Sequence, residues 1–482
     1  MNVAFLASEA IPFAKTGGLA DVAGSLPRFL KKLGVDVRLV LPFYKSIRAK
    51  DYFLKRMIGH SVISWKGAMS PLLAWECEEG PFPAYFIERD EYFDRDCLYG
   101  SPNEDYPDNG ERFAYFAKAS LELLRQAGFR PDVIHAHDWQ AAMALAYLRF
   151  AFGEDPFFRP TKSLFTIHNL AFQGLFPEKI LQEVGLPRNL FSLEDLEFFG
   201  KVSFLKAGLL YSSALSTVSP RYSQEIQTPE FGCGLDGLLR ARKERLFGIL
   251  NGVDYSEWNP ETDPALVVRY SSGSIEGKAA CKSALRQAFG LKPDESDRPL
   301  VGIVSRLVGQ KGIDLVAESL AGIFSSGAEL VVLGTGEEKI EKQLLEARKK
   351  YPHSLGLKIG FDEFISHRIM AGCDIFLIPS RYEPCGLTQM YSLRYGTIPV
   401  VRATGGLDDS VREFDTGSGL GNGFKFGPPT SAALLQSLRR AIGLYRDKSL
   451  WSRLVRNAMA EDFSWERAAR YYLELYGLIR SM

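Results

Sequence analysis

NVAFLASEAIPFAKTGGLADV (residues 2–22) decides the fold class. Residues 2–8 are apolar and read as a strand. The segment Lys15-Thr16-Gly17-Gly18-Leu19-Ala20-Asp21-Val22 turns the chain, and a helix begins near Leu19. Strand, glycine turn and helix open a parallel α/β unit. The two glycines let backbone N–H groups approach an anion, and the helix start adds partial positive charge. Lys15 would add a full charge. An ordinary βα turn with an exposed lysine explains the same residues.

Outward from that stretch the alternation continues. Strands are expected at 36–42, 84–88, 132–137, 163–168 and 214–219, with 246–253 closing the first half. Helices are expected at 111–128 and 139–152. The pattern then restarts, with strands at 299–306, 329–335, 355–361, 373–380 and 398–404 and a helix at 339–351. The polar, Pro-bearing stretch 251–264 reads as a hinge between two sheets. The hexapeptide 16–21 (TGGLAD) echoes 404–409 (TGGLDD), which suggests a duplicated domain. Two Rossmann-like sheets would bind a ligand at the carboxyl ends of their strands.

The chain has 482 residues, 46% of them hydrophobic and 24% charged, so a sizeable core is expected. Lys+Arg and Asp+Glu both number 58. A zero net charge disfavours a nucleic-acid binder and fits a neutral partner. Six cysteines without C-x-x-C spacing argue against a disulfide scaffold. The N-terminus reads as a strand rather than a signal or transit peptide. No apolar run approaches the ~18–20 residues needed to span a bilayer. These features predict a reducing cytoplasm, with neither membrane nor nucleic acid as partner.

Several motifs fail. Gly334-Thr-Gly336-Glu-Glu-Lys339 has lysine where a dinucleotide fingerprint needs its third glycine. Gly273-Ser-Ile-Glu-Gly277-Lys278-Ala279 is too short for a P-loop and lacks the Ser/Thr. Asp94-Arg95-Asp96 resembles the metal-binding D-x-D of some sugar transferases but follows a charged stretch, so it reads as a solvated loop. No cluster has zinc-ligand spacing, and no metal is expected.

Three segments carry chemistry besides the first. Arg306 and Lys311, in SRLVGQKG at a strand end, could clamp a diphosphate, Arg as a fork and Lys as a point charge. As loop cations they should contribute little to folding. In SRYEPCGLT (380–388), Gly386, Leu387 and Thr388 could present N–H groups at a helix start, with Glu383 placed to meet sugar hydroxyls. Cys385 reads as a small packed residue. His137, Asp138 and His168 end two strands of the first half, and Asp138 is a natural N-cap for the next helix.

Seven motifs in order resemble the bacterial glycogen synthase and plant starch synthase family. They are SEAxPFAKTGGLADV, HAHDWQ, TIHNLAFQG, GILNGVD, SRLVGQKG, PSRYEPCGLTQ and TGGLxDxV. The resemblance implies an α/β GT-B fold, with two Rossmann-like domains facing each other across a deep cleft. The expected domains are 1–248, on the acceptor side, and 249–461, on the donor side. A helix at 462–482 could pack back on the first domain.

The resemblance also implies an activity: retaining transfer of glucose from ADP-glucose to the non-reducing end of an α-1,4-glucan, without cofactor or metal. Arg306 and Lys311 would hold the diphosphate. Lys15, Gly18, Leu387 and Thr388 would assist, with Gly360, Cys385 and Gly386 lining the donor. Glu383, His168 and Asn251 would orient the glucose, and Asp138 would lie near the reacting sugar. Tyr99 and Asp21 would belong to the acceptor side. Phe361 replaces the family's usual tyrosine near the adenine, keeping the stacking ring without the hydroxyl. A second carboxylate eight positions after Glu383 is absent, since Tyr391 stands there. A same-face mechanism is therefore preferred. The rival readings are a pyridoxal-phosphate-dependent phosphorylase and a catalytically inactive glucan-binding protein.

Overall fold

The computed structural model describes residues 1–50, 52–57, 62–78, 80–101, 104–291 and 297–482. The chain divides into two compact units. One holds Met1–Val218, Ser223–Gly252 and Trp465–Met482; the other holds Ser219–Tyr222 and Val253–Ser464.

The first unit is built on β1 (Asn2–Leu6), β2 (Asp36–Pro42), β3 (Lys55–Arg56), β4 (Leu73–Cys77), β5 (Ala84–Glu88), β6 (Val133–His137), β7 (Lys162–Ile167), β8 (Ala214–Thr217) and β9 (Leu246–Gly248). Their order in space is β9-β8-β7-β6-β1-β2-β5-β4-β3. The run from β9 to β5 is parallel. Strand β4 pairs antiparallel with β5, and β3 antiparallel with β4. Sequence reading missed β3, which is only two charged residues long, and β4, whose apolar run is broken by Glu76.

The second unit carries β10 (Leu300–Val304), β11 (Glu329–Gly334), β12 (Leu355–Ile359), β13 (Ile375–Ile378), β14 (Ile398–Arg402) and β15 (Phe424–Phe426). All run parallel in the order β12-β11-β10-β13-β14-β15. Strands buried on both faces need apolar residues at every position, which is why they read as unbroken apolar runs. Helices supply the cover. Asp138–Phe150 packs between Asn109–Gln126 and Phe204–Tyr211 in the first unit.

Numbered by parallel strand alone, both sheets read 3-2-1-4-5-6, with a seventh strand in the first. That is the doubly wound order, and it creates a switch point between strands one and four. The switch points are β1/β6 and β10/β13. The hexapeptide echo does not mark equivalent places, however. TGGLAD follows β1, the first strand of its sheet, whereas TGGLDD follows β14, the fifth parallel strand of the other.

The stretch 251–264 is mostly not a hinge. The chain passes between units at Val218/Ser219, Tyr222/Ser223, Gly252/Val253 and Ser464/Trp465. Residues 253–264 are packed into the second unit. The Trp258 ring stacks on both His367 and Tyr391, at 3.9 Å each. Asp263 accepts hydrogen bonds from Tyr395 at 2.5 Å and from His367 at 2.7 Å. The helix Trp465–Ser481 belongs to the first unit, where the Tyr476 hydroxyl lies 2.7 Å from Nδ1 of His135.

Candidate active site

Each unit carries its own cluster at its switch point. In the first, the loop after β1 is organised by Glu9. Its buried carboxylate accepts from the Thr16 N–H at 2.5 Å, the Thr16 hydroxyl at 2.9 Å and the Gly17 N–H at 3.0 Å. The Tyr99 hydroxyl donates to the same carboxylate at 2.9 Å, so the Ser8 hydroxyl, 2.7 Å away, donates to Tyr99. Burial, and then the Glu9 charge, raise the Tyr99 phenol well above its ordinary value. Sequence reading assigned Tyr99 but gave Glu9 no role. The signal was there, in an acid just past an apolar strand.

The glycines of this loop leave room. Apart from the adjoining backbone, no atom lies within 4 Å of where a Cβ would stand at Gly17 or Gly18, and neither has a positive φ. Neither packing nor backbone strain asks for glycine here, so the open space is available to a ligand. Lys15 is ion-paired with Asp21 at 2.7 Å. The sequence expectation had placed these two on different substrates.

Strands β6 and β7 bring His137, Asp138 and His168 together. Asp138 is not an N-cap of its helix. It is the first helical residue, at φ 54°, and its carboxylate accepts the backbone N–H of His168 at 2.7 Å. Nδ1 of His137 lies 2.9 Å from Nε2 of His168. Burial holds both imidazoles neutral, His168 at about 3 and His137 well below its usual value. Burial also pushes Asp138 up to about 7, against the N–H groups of His168 and Asn169, which favour its charged form. Nε2 of His137 and Oδ1 of Asn251 are buried with no partner among the described residues. Such atoms are costly unless something fills the need.

In the second unit, β10 ends at the loop 305–312 and β13 at the loop 379–387. Gly312 fastens the two loops. It sits at φ +68°, and a Cβ would overlap the Pro379 carbonyl. We expect Gly312→Ala to lose at least about 2 kcal/mol of stability, because it combines a left-handed backbone with a clash. A urea midpoint equal to wild type would show that the approach is not needed. Arg381 adds a bidentate pair with Asp314 at 2.6 and 2.7 Å.

This fastening places Lys311 Nζ 2.6 Å from the Glu383 carboxylate, which also accepts from the Ser380 hydroxyl at 2.9 Å. Arg306 is exposed. Its guanidinium reaches Gln310 at 3.2 Å and has no carboxylate partner among the described residues. Thr388–Arg394 is helical with Leu387 as its N-cap. The amides of Gly386, Leu387 and Thr388 have no acceptor among the described residues. Cys385 is buried, as a packed residue would be. At Gly405 and Gly406, a Cβ would overlap the carbonyls of Glu383 and Cys385 respectively, so these glycines let the 404–406 turn press against the loop.

Gly360 sits at φ +132°, where only glycine is comfortable, and projects Phe361 with its ring 81% exposed. The rejected motifs have structural work. Gly334 and Gly336 approach the carbonyls of Ser305 and Leu307. Lys278 donates to Ala371, Tyr395 and Thr397, with burial lowering it to about 8. Asp96 pairs with Lys45 and Arg95 with Asp108, so the D-x-D stretch is a salt-bridged surface.

Comparison with known proteins accords with this architecture. The family model described as "Starch synthase catalytic domain" matches residues 2–241, and "Glycosyl transferases group 1" matches residues 288–458. A glycogen synthase of Syntrophotalea carbinolica is 46% identical over 476 residues, covering 99% of this chain and 98% of that protein. Another, from Geotalea uraniireducens, is 47% identical over 480 residues, covering 99% of both. The catalytic domain of starch synthase IV from Arabidopsis thaliana, bound to ADP and acarbose, matches with a TM-score of 0.91 and 35% identity. The match covers 100% of this chain and 99% of that one. A sucrose-phosphate synthase from Thermosynechococcus elongatus shares the fold, with a TM-score of 0.60 and 17% identity, covering 100% of this chain and 99% of that one. The chain therefore belongs to the glycogen synthase and starch synthase family of glycosyltransferases, on the GT-B fold.

Proposed function

We propose that this protein moves glucose from ADP-glucose to the non-reducing end of an α-1,4-glucan, with retention at the anomeric carbon. The observation that carries this reading is the switch point of the second sheet. There Lys311 and Glu383 meet at 2.6 Å, and the same loop carries an exposed Arg306 without a carboxylate partner among the described residues. Two cations suit a departing diphosphate, and the free amides of 386–388 suit its oxygens. Lys311 has three N–H donors, so it can serve Glu383 and a phosphate together. Phe361 offers its ring to the adenine. In the first unit, His168, Asp138 and the unpaired Oδ1 of Asn251 suit sugar hydroxyls. We assign Lys15 and Gly18 to the diphosphate, and Tyr99 and Asp21 to the acceptor side.

A covalent two-carboxylate route needs a second carboxylate ~5 Å from the first. Glu383 is already held by Lys311 and Ser380, and Tyr391 is stacked on Trp258. We therefore assign Glu383 to orienting the glucose. The C1–O bond to the diphosphate breaks, and the acceptor 4-hydroxyl bonds to C1 on the same face. Its proton passes to a phosphate oxygen of the leaving ADP. The free thiols of all six cysteines suit a reducing compartment, which we take to be the cytoplasm.

The test is chain extension of a short maltooligosaccharide with ADP-glucose, read with ADP release. Glu383→Gln should lower kcat on the order of 10²-fold while KM for the donor changes little. If neither ADP-glucose nor UDP-glucose supports extension, the reading fails. A variant that loses donor affinity alone would reassign Glu383 to uniform binding.

A further inference from the structure

We propose that the Phe199 turn is a second contact for the acceptor glucan, outside the transfer site, holding a stretch of chain away from the reacting end. This rests on the acceptor assigned above.

The observation is a residue that folding does not favour. Phe198 pairs with Lys201 across a two-residue turn, Phe199-Gly200. Their φ angles are 49° and 76°, so both are left-handed, the type I′ arrangement. Asn-Gly suits such a turn, whereas a bulky aromatic in its first position is strained. The Phe199 ring is also 80% exposed. It strains the backbone and buries almost nothing in return. Strain of this kind points to use.

The ring is nevertheless held. It meets Phe198 edge to face at 4.7 Å. Gly234 lies close by, since a Cβ there would stand 3.2 Å from Phe199 and 3.0 Å from Phe198. Cys233 and Gly234 form another left-handed pair, at φ 50° and 80°, and Gln173 Nε2 donates to the Cys233 carbonyl at 3.0 Å. The platform is thus exposed but fixed.

Its position indicates the occupant. The ribbon Leu175–Phe176, Glu197–Phe198 and Lys201–Ser203 lies in the segment between β7 and the helix Phe204–Tyr211. That segment begins at His168, which we assign to the sugar. It also carries Phe172 at 57% exposure and Leu193 at 78%. A glucan presents C–H-lined faces of its glucose rings, and these suit the negative face of an aromatic ring. On this proposal a polymer extending beyond the transfer site gains the contact and a short oligosaccharide does not.

Phe199→Asn is the test, because it places Asn-Gly in the turn and should fold at least as well. We expect an equal or higher Tm and an unchanged oligomeric state. KM for glycogen should rise about 3- to 10-fold, with kcat/KM for maltotriose within about twofold of wild type. Electrophoresis through a glycogen-containing gel reads binding without turnover, and the variant should be retarded less. Unchanged glycogen KM and retardation would overturn the proposal. So would an equal loss with maltotriose, which would put the ring in the transfer site, or a change of oligomeric state, which would make it a contact between copies. Wild type retarded by glycogen yet unable to extend it would instead sink the transfer reading and leave the platform standing.

Discussion

Arg306→Ala and Lys311→Ala are each expected to lower kcat/KM by about 10²–10³, the usual loss for one transition-state electrostatic contact. The negative charge that grows on the departing diphosphate is what these cations would meet. At ~4 Å and an effective dielectric near 20, one charge pair is worth about 4 kcal/mol, enough for the whole effect. The two variants should part company in stability. Arg306 is exposed and pairs with no carboxylate among the described residues, so its loss should leave the urea midpoint almost unmoved. Lys311 neutralises the buried Glu383, and its removal strands that charge. We expect Lys311→Ala to lose roughly 1–3 kcal/mol as well as activity. Loop position alone predicts little effect on folding for either cation; the Glu383 contact sets a different expectation for Lys311. Steady-state kinetics and urea melts on both variants give the answer. Near-normal turnover in both would rule out the clamp.

Asp138→Asn should lower kcat on the order of 10²-fold and yet raise stability at high pH. The folded carboxyl is pushed to about 7 by burial, whereas an unfolded one titrates near 3.9 (~3.9 in model peptides). Between those values the folded chain keeps a proton that the unfolded chain has released. Stability therefore falls as pH rises through that window, by on the order of 4 kcal/mol in all. Asparagine cannot ionise, so the variant should escape the decline and be the more stable protein at pH ~8. The neighbouring histidines work in the other direction. His168 is lowered to about 3 by burial, so below its ordinary value of ~6.5 the unfolded chain binds a proton the folded one refuses. That contribution is lost as pH falls from ~6.5 towards 3, and it persists in the variant. His137 is lowered too, so wild type should gain stability between pH ~4 and 6.5, and the variant should gain more steeply because it lacks the opposing Asp138 contribution. Parallel stability–pH curves for the two proteins would refute the buried-carboxyl account.

The two α/β halves and the segments that hold the candidate site were legible in the local pattern of residues. Parallel strands covered on both faces must be apolar throughout, so β1, β2, β5 and β10 to β14 stand out as runs. The site motifs follow those runs directly, because ligands of such sheets bind at the carboxyl ends of strands. Lys15, Asp138, His168, Arg306 and Glu383 were legible for that reason. What the local pattern could not carry was partnership. Lys311 and Glu383 are 72 residues apart, Glu9 and Tyr99 are 90 apart, and His135 and Tyr476 are 341 apart. Each pair exists only because tertiary packing brings two distant segments together, loops in the first two cases and a strand and the last helix in the third. The same holds for Asp138, whose carboxylate serves the neighbouring strand's loop rather than its own helix. It holds again for residues 253–264, whose polar composition suggests a linker while Trp258 and Asp263 lock them into the second unit. A polar side chain reads as loop in sequence; whether it is solvated or buried against a partner is decided by tertiary packing, since only that sets which hydrogen bonds can offset its desolvation.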